Sequence, residues 1–120
     1  MTSKKSKTKE NFYLKPPTAD KLGICLFKYQ LSPNEKFVTT NLALAKILHF
    51  HREEEILKKK LKSFFVRPTE ATKFIKTLKK EKTIRFFEAQ FKTKDNKEVW
   101  VAITASLSAS PINKKQIFIE

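Results

Sequence analysis

Side chains able to do chemistry are few and scattered in this sequence. Cys25 is the one cysteine, and His49 and His51 are the two histidines. A zinc site needs four ligands in spaced Cys or His sets. His49 and His51 stand two residues apart with no second cluster to complete such a set, so they read as solvent-facing or capping groups at a corner between helices. A lone cysteine cannot close an intramolecular disulfide, which suits a reducing compartment. Lying in the apolar run Leu22 to Tyr29, Cys25 reads as a small buried apolar residue rather than a reactive thiol. No Gly-rich phosphate loop, nucleophile elbow or Cys-His arrangement appears. Glu88 falls on a polar hairpin face, and a catalytic pair would need a second acid or base beside it in a concave pocket. The expectation is no catalytic residue, no metal ligand and no enzyme activity.

The other chemistry on offer is charge. A formal charge of +14 invites a nucleic-acid reading, because lysine and arginine that neutralise phosphates release counterions. Phe86 and Trp100, with Lys92 among them, could stack single-stranded bases on a sheet. Against this, only Arg52, Arg67 and Arg85 are arginines, and bidentate reading of phosphate or guanine favours that side chain. The lysines are spread over tail, helices and strands. A solvated basic surface with no specific nucleic-acid partner is preferred, and a small basic nucleic-acid-binding domain is kept as the alternative.

The elements that would position these residues follow from apolar patterning. Residues 87–107 alternate as two strands around Asp95-Asn96-Lys97. A three-residue loop there, closed by Lys94 and Glu98, sets Phe91 opposite Val101, Ala89 opposite Ile103 and Phe87 opposite Ala105. It gathers Phe87, Ala89, Phe91, Val99, Val101, Ile103, Ala105 and Leu107 on one face. Asn96 takes the left-handed position such loops require. Upstream, Thr69 caps a helix to Glu81 whose Ala71, Phe74, Ile75 and Leu78 share a stripe, with Lys73, Lys76, Lys79 and Lys80 opposite.

The first 15 residues are rich in Lys, Ser and Thr, and Pro16-Pro17 is expected to start an extended segment. The expected division is a mobile basic leader over 1–20 and a folded domain over 21–120. Leu22 to Tyr29 reads as a strand, Ser32-Pro33-Asn34-Glu35 as a turn, and Lys36 to Thr40 as a second strand. Asn41 caps a short helix through Leu48, with Leu44, Ile47 and Leu48 on one face. Glu53-Glu54-Glu55 open another short helix and Lys58-Lys59-Lys60 close it, both complementing its dipole. A connector then runs from Lys62 to Arg67, and a last strand from Lys114 toward Glu120. Strands at both ends with helices between them imply an α+β domain: a five-stranded antiparallel sheet covered on one face by short helices and one longer helix. With 120 residues and 40% hydrophobic composition, one core is expected. No apolar run approaches a membrane span and the N-terminus lacks a signal-peptide core, so the expectation is a cytoplasmic domain with no membrane contact in this segment.

The run from Phe37 to Leu48, then His49-Phe50-His51-Arg52-Glu53-Glu54-Glu55-Ile56-Leu57, resembles the PAS-domain pattern of strand, Asn, small-residue helix and Glu-Glu-Leu helix. Lys94-Asp95-Asn96-Lys97-Glu98-Val99-Trp100-Val101 resembles that family's Lys-Asp-Gly turn and Trp-Val strand. His49 stands where the family usually has Gly, and Asn96 replaces the Gly of the turn. The resemblance covers about residues 20–120. It implies a sensory and dimerisation module of a signal-transduction protein, such as a histidine kinase, relaying ligand or partner state to an effector domain, covalently joined or separate. A small-molecule ligand would occupy an apolar pocket of Phe74, Ile75, Leu78, Phe87, Phe91, Val101 and Ile103. A homodimer would form through Phe86 and Trp100. Flavin photoreceptors of the family carry a Cys just before the connector, where this chain has Lys58-Lys59-Lys60-Leu61-Lys62. Oxygen-sensing haem members take a His from the longer helix, which here has none. No cofactor is therefore expected.

Overall fold

A computed structural model of the chain describes residues 16–120, so residues 1–15 of the expected leader lie outside the described residues. The remainder of that leader belongs to the first helix, α1, Pro16–Leu22. Proline suits a helix start because its missing N–H is one that a first turn leaves unpaired, so Pro16-Pro17 opens a helix rather than an extended segment. Gly23, at φ 72, ends it, and Ile24 N donates to Ala19 O at 2.8 Å.

The strand expected over Leu22 to Tyr29 is displaced, and β1 runs Phe27–Ser32. The backbone before it is held by a side chain instead of a ladder. Asn41 Nδ2 donates to Ile24 O at 2.8 Å, and Asn41 Oδ1 accepts from Leu26 N at 2.9 Å. β2 follows at Lys36–Thr40, and α2 at Leu42–Ile47 has Asn41 as its N-cap. Ala43, Ala45 and Leu48 are the residues buried here, whereas Ile47, expected on the inner face, is exposed.

α3 spans Glu53–Leu57 with its three glutamates in the first turn, and a 3-10 turn covers Leu61–Phe64. The long helix α4 runs Pro68–Glu81. Pro68 holds its first turn and Arg67 its N-cap, so Thr69 lies inside the helix rather than capping it. Ala71, Phe74 and Leu78 are its buried stripe, with Ile75 half-buried.

β3 (Thr83–Lys92), β4 (Glu98–Ala109) and β5 (Ile117–Ile119) complete a five-stranded sheet of order β2-β1-β5-β4-β3, all antiparallel. This is the α+β architecture that the pattern of elements predicts. The β3-β4 register differs from the expected one. Phe91 pairs with Val99, Ala89 with Val101 and Phe87 with Ile103. Thr93 N donates to Lys97 O at 2.8 Å and Asn96 N to Thr93 O at 3.0 Å, so the three-residue loop is Lys94-Asp95-Asn96, one residue earlier than predicted. The cause is the turn itself. In such loops the left-handed residue comes last, and Asn96 at φ 63 fixes the frame. Thr93 Oγ1 reinforces it by accepting from Lys97 N at 2.9 Å and donating to Asp95 at 2.6 Å.

Partners shift by two residues, an even number, so the inner face keeps its predicted members. Nearer the start of β3 a bulge breaks the register between Ile84 and Phe87. Phe86 sits there at φ 52, and Ile84 pairs with Ala105.

Candidate ligand cavity

The space between α4 and the sheet is filled unevenly. Toward β3 and β4 it is packed with aromatic rings. Phe65 lies 4.9 Å from Phe91 and 5.9 Å from Phe74 by ring centroid, and Phe74 lies 5.3 Å from Phe87. Toward β1 and β5 the helix presents the smaller Ala71, Thr72 and Ile75, and a cavity of about 800 Å³ opens. Tyr29, Leu31 and Ile117 form its floor, and Leu61 and Phe65 a side wall. That volume lies within the range of small-molecule sites.

Of the seven residues expected to line the pocket, only Ile75 does so. Phe74, Leu78, Phe91 and Ile103 are buried in the central core, and Phe87 and Val101 pack against it half-buried. They converge on one interior, which their own side chains fill. The largest apolar residues of the pattern lie on the filled side of α4. The open side is signalled by the small Ala71 at the start of the stripe and by Thr72 and Lys76 beside it.

The mouth of the cavity is basic. Exposed Lys60, Lys62, Lys76 and Lys79 line it, against one acid, Glu35. Every neutral hydroxyl of the lining already donates within the protein. Tyr29 Oη donates to Glu35 Oε1 at 2.8 Å, Ser32 Oγ to Lys115 O at 2.9 Å, Ser63 Oγ to Lys60 O at 2.6 Å and Thr72 Oγ1 to Pro68 O at 3.2 Å. Burial pushes the Tyr29 phenol pKa well up, and the Glu35 carboxylate raises it further.

A second polar cluster ties the β3-β4 loop to the corner between α2 and α3. His49, left-handed at φ 66, has Nδ1 at 2.7 Å from Asp95 Oδ1, and Lys94 Nζ donates to Glu55 Oε2 at 2.6 Å. Glu55 Oε1 also accepts from the backbone N–H groups of His51 and Arg52. The Lys94 hydrogen bond, aided by those amides, lowers the Glu55 pKa to about 2. The Thr93 hydroxyl, then His49, lowers that of Asp95 to about 2. His51 is exposed. No group of three or more His, Cys, Asp or Glu suited to a metal ion occurs among the described residues. Cys25, half-buried, has its thiol pKa raised by burial and by Asp20, which disfavours the nucleophilic thiolate.

On the opposite side of the sheet, Phe86 is 74% and Trp100 62% exposed, and Lys92 and Glu88 are exposed beside them. Phe86 N donates to Thr104 Oγ1. Trp100 lies four residues along β4 from Thr104, about 13 Å at strand rise, so the two aromatics are separate projections. Half-buried Phe118 lies on the same side at β5, with Lys28 Nζ 4.5 Å above its ring.

Sheet order, the helical cover on one face and the cavity beneath the long helix define an α+β domain of PAS type. A PAS domain profile matches residues 22–119, and the chain belongs to that family of sensory modules. Solved structures share the fold at low identity. A light-oxygen-voltage domain studied with a flavin analogue superposes with TM-score 0.67 at 11% identity, covering 86% of this chain and 78% of that one. A PAS domain from a two-component sensor histidine kinase gives 0.60 at 14%, covering 78% of each. The PAS domain of the fruit-fly ELK potassium channel gives 0.64 at 10%, covering 84% and 85%. No curated protein matches this chain by sequence. No helix among the described residues is long and apolar enough to cross a membrane.

Proposed function

We propose that this domain is the sensory input of a signalling protein such as a histidine kinase. In this reading the cavity beneath α4 holds a small molecule, and the outer sheet face passes its occupancy to an effector or to a second copy of the domain. The observation that carries the reading is the two-sidedness of β1 and β5. Tyr29, Leu31 and Ile117 floor the cavity, while Lys28, Gln30 and Phe118 take the alternate positions on the other side of the sheet, Lys28 and Phe118 half-buried and Gln30 buried. Whatever displaces the floor also moves the outer surface, because a close-packed sheet transmits strain. Exposed Phe86 and Trp100 support the outer face as an interface, since aromatics are enriched at the buried centres of such contacts.

The cavity's lining supports the expectation that neither haem nor flavin is held here. Its lining has no His or Cys to ligate iron or form a flavin adduct, and no Asn or Gln to grip a flavin edge. The freshly purified protein is expected to be colourless, and stoichiometric Soret or flavin absorption would contradict this.

Sedimentation equilibrium at high salt tests the functional reading. Wild type is expected to form a weak homodimer, Trp100→Glu a folded monomer, and the cavity-narrowing Ile75→Phe a dimer of altered dissociation constant. A wild type that stays monomeric at high concentration would remove the outer-face interface. An Ile75→Phe dimer identical to wild type would remove the coupling.

A further inference from the structure

We infer that the ligand class of this cavity is an anionic amphiphile, a long-chain carboxylate with its aliphatic tail inside and its head group at the lysine mouth. This rests on the reading of the cavity as a ligand chamber and specifies what enters it. The interior is lined by hydrocarbon, with Leu31, Leu61, Ala71, Ile75 and Ile117 supplying aliphatic surface. A polar heterocycle would need donors to replace the water it loses on entry, since a buried polar group left unpaired is costly. None of the lining hydroxyls has a donor to give, because all four are committed within the protein. The remaining donors are ammonium groups. Lys60 Nζ is held by Glu35 O at 2.6 Å, whereas Lys62, Lys76 and Lys79 have no hydrogen-bond or salt-bridge partner among the described residues.

Helix geometry places those charges. Pro68, Ala71, Thr72, Ile75, Lys76 and Lys79 all border the cavity, at the i, i+3, i+4, i+7 spacing of one α4 face. The face therefore runs from apolar to cationic along its length, and Lys62 of the 3-10 turn borders the same cavity. Lysine ammoniums are rotatable point charges and suit a mobile carboxylate head better than a rigid bidentate partner. The apolar tail is favoured by removing its surface from water.

Methyl-labelled NMR with dodecanoate below its micelle concentration tests this, alongside neutral dodecanol and cationic dodecylammonium. Dodecanoate is expected to saturate one site, shifting the methyls of Leu31, Leu61, Ile75 and Ile117, and to bind about tenfold tighter than dodecanol. The double variant Lys76→Glu/Lys79→Glu should lose about tenfold for dodecanoate and little for dodecanol. Lys92→Glu on the outer face should change neither, which separates the site from non-specific attraction to a basic protein. Equal affinity for dodecanoate and dodecanol, or tighter binding of dodecylammonium, overturns the anionic assignment while leaving the chamber standing. If none of the three amphiphiles shifts those methyls, and native mass spectrometry finds no retained small molecule, the chamber reading itself fails.

Discussion

Asn41 shows how much one buried polar side chain can organise. It is 1% exposed, caps α2 through Leu44 N, and satisfies both Ile24 O and Leu26 N. Asn41→Ala would leave these groups unpaired and is expected to cost about 2–4 kcal/mol, combining a lost cap with buried desolvation. Chemical denaturation measures it, and a loss below that of an ordinary surface cap would contradict the role. Phe91, 6% exposed between Phe64 and Phe65, is the corresponding apolar pivot. Phe91→Ala should cost about 3–5 kcal/mol. Glu55 and Asp95 give a pH signature. Their folded pKa values of about 2 lie below the ordinary 4.5 and 3.8. Between those limits the unfolded chain binds more protons, so the stability they contribute is full above the ordinary values and lost as pH falls toward about 2. Urea midpoints across that range should fall less steeply for Glu55→Gln/Asp95→Asn than for wild type; equal slopes would contradict the assignment.

Among the elements, the β3-β4 hairpin separates what alternation can specify from what it cannot. Alternation assigned the inner face, and that assignment survives a two-residue shift of partners because parity is unchanged. The frame depends on where the left-handed residue falls within the loop, and Asn96 serves either frame in the bare sequence. Asn96→Gly should preserve or slightly raise stability, whereas Asn96→Val should cost about 1–2 kcal/mol by forcing a branched side chain into φ 63. A tolerated valine would argue against the loop described. The strand expected from Leu22 failed for a different reason. Its apolar run is divided between the end of α1 and a segment held by Asn41, a contact spanning 15 or more residues that no local pattern reveals. In the bare sequence Pro16-Pro17 favours an extended segment, although proline is equally suited to the first turn of a helix.

Across the whole molecule, the α+β class and the helical cover were legible because periodicity reports which face each element buries. The cavity was not. It arises from the difference in side-chain bulk on the two sides of α4, rings toward β3 and small residues toward β1, and that comparison requires knowing which strands flank the helix. The domain's central property in this account is that cavity and outer face share β1 and β5. The most direct test compares backbone amide NMR spectra of wild type and Ile75→Phe, a substitution that partly fills the cavity without adding charge. Shifts are expected at the floor residues Tyr29, Leu31 and Ile117, continuing to Lys28, Gln30 and Phe118 on the other side of the sheet. Shifts confined to α4 and the neighbouring helical turns, with β1 and β5 unchanged, would contradict it.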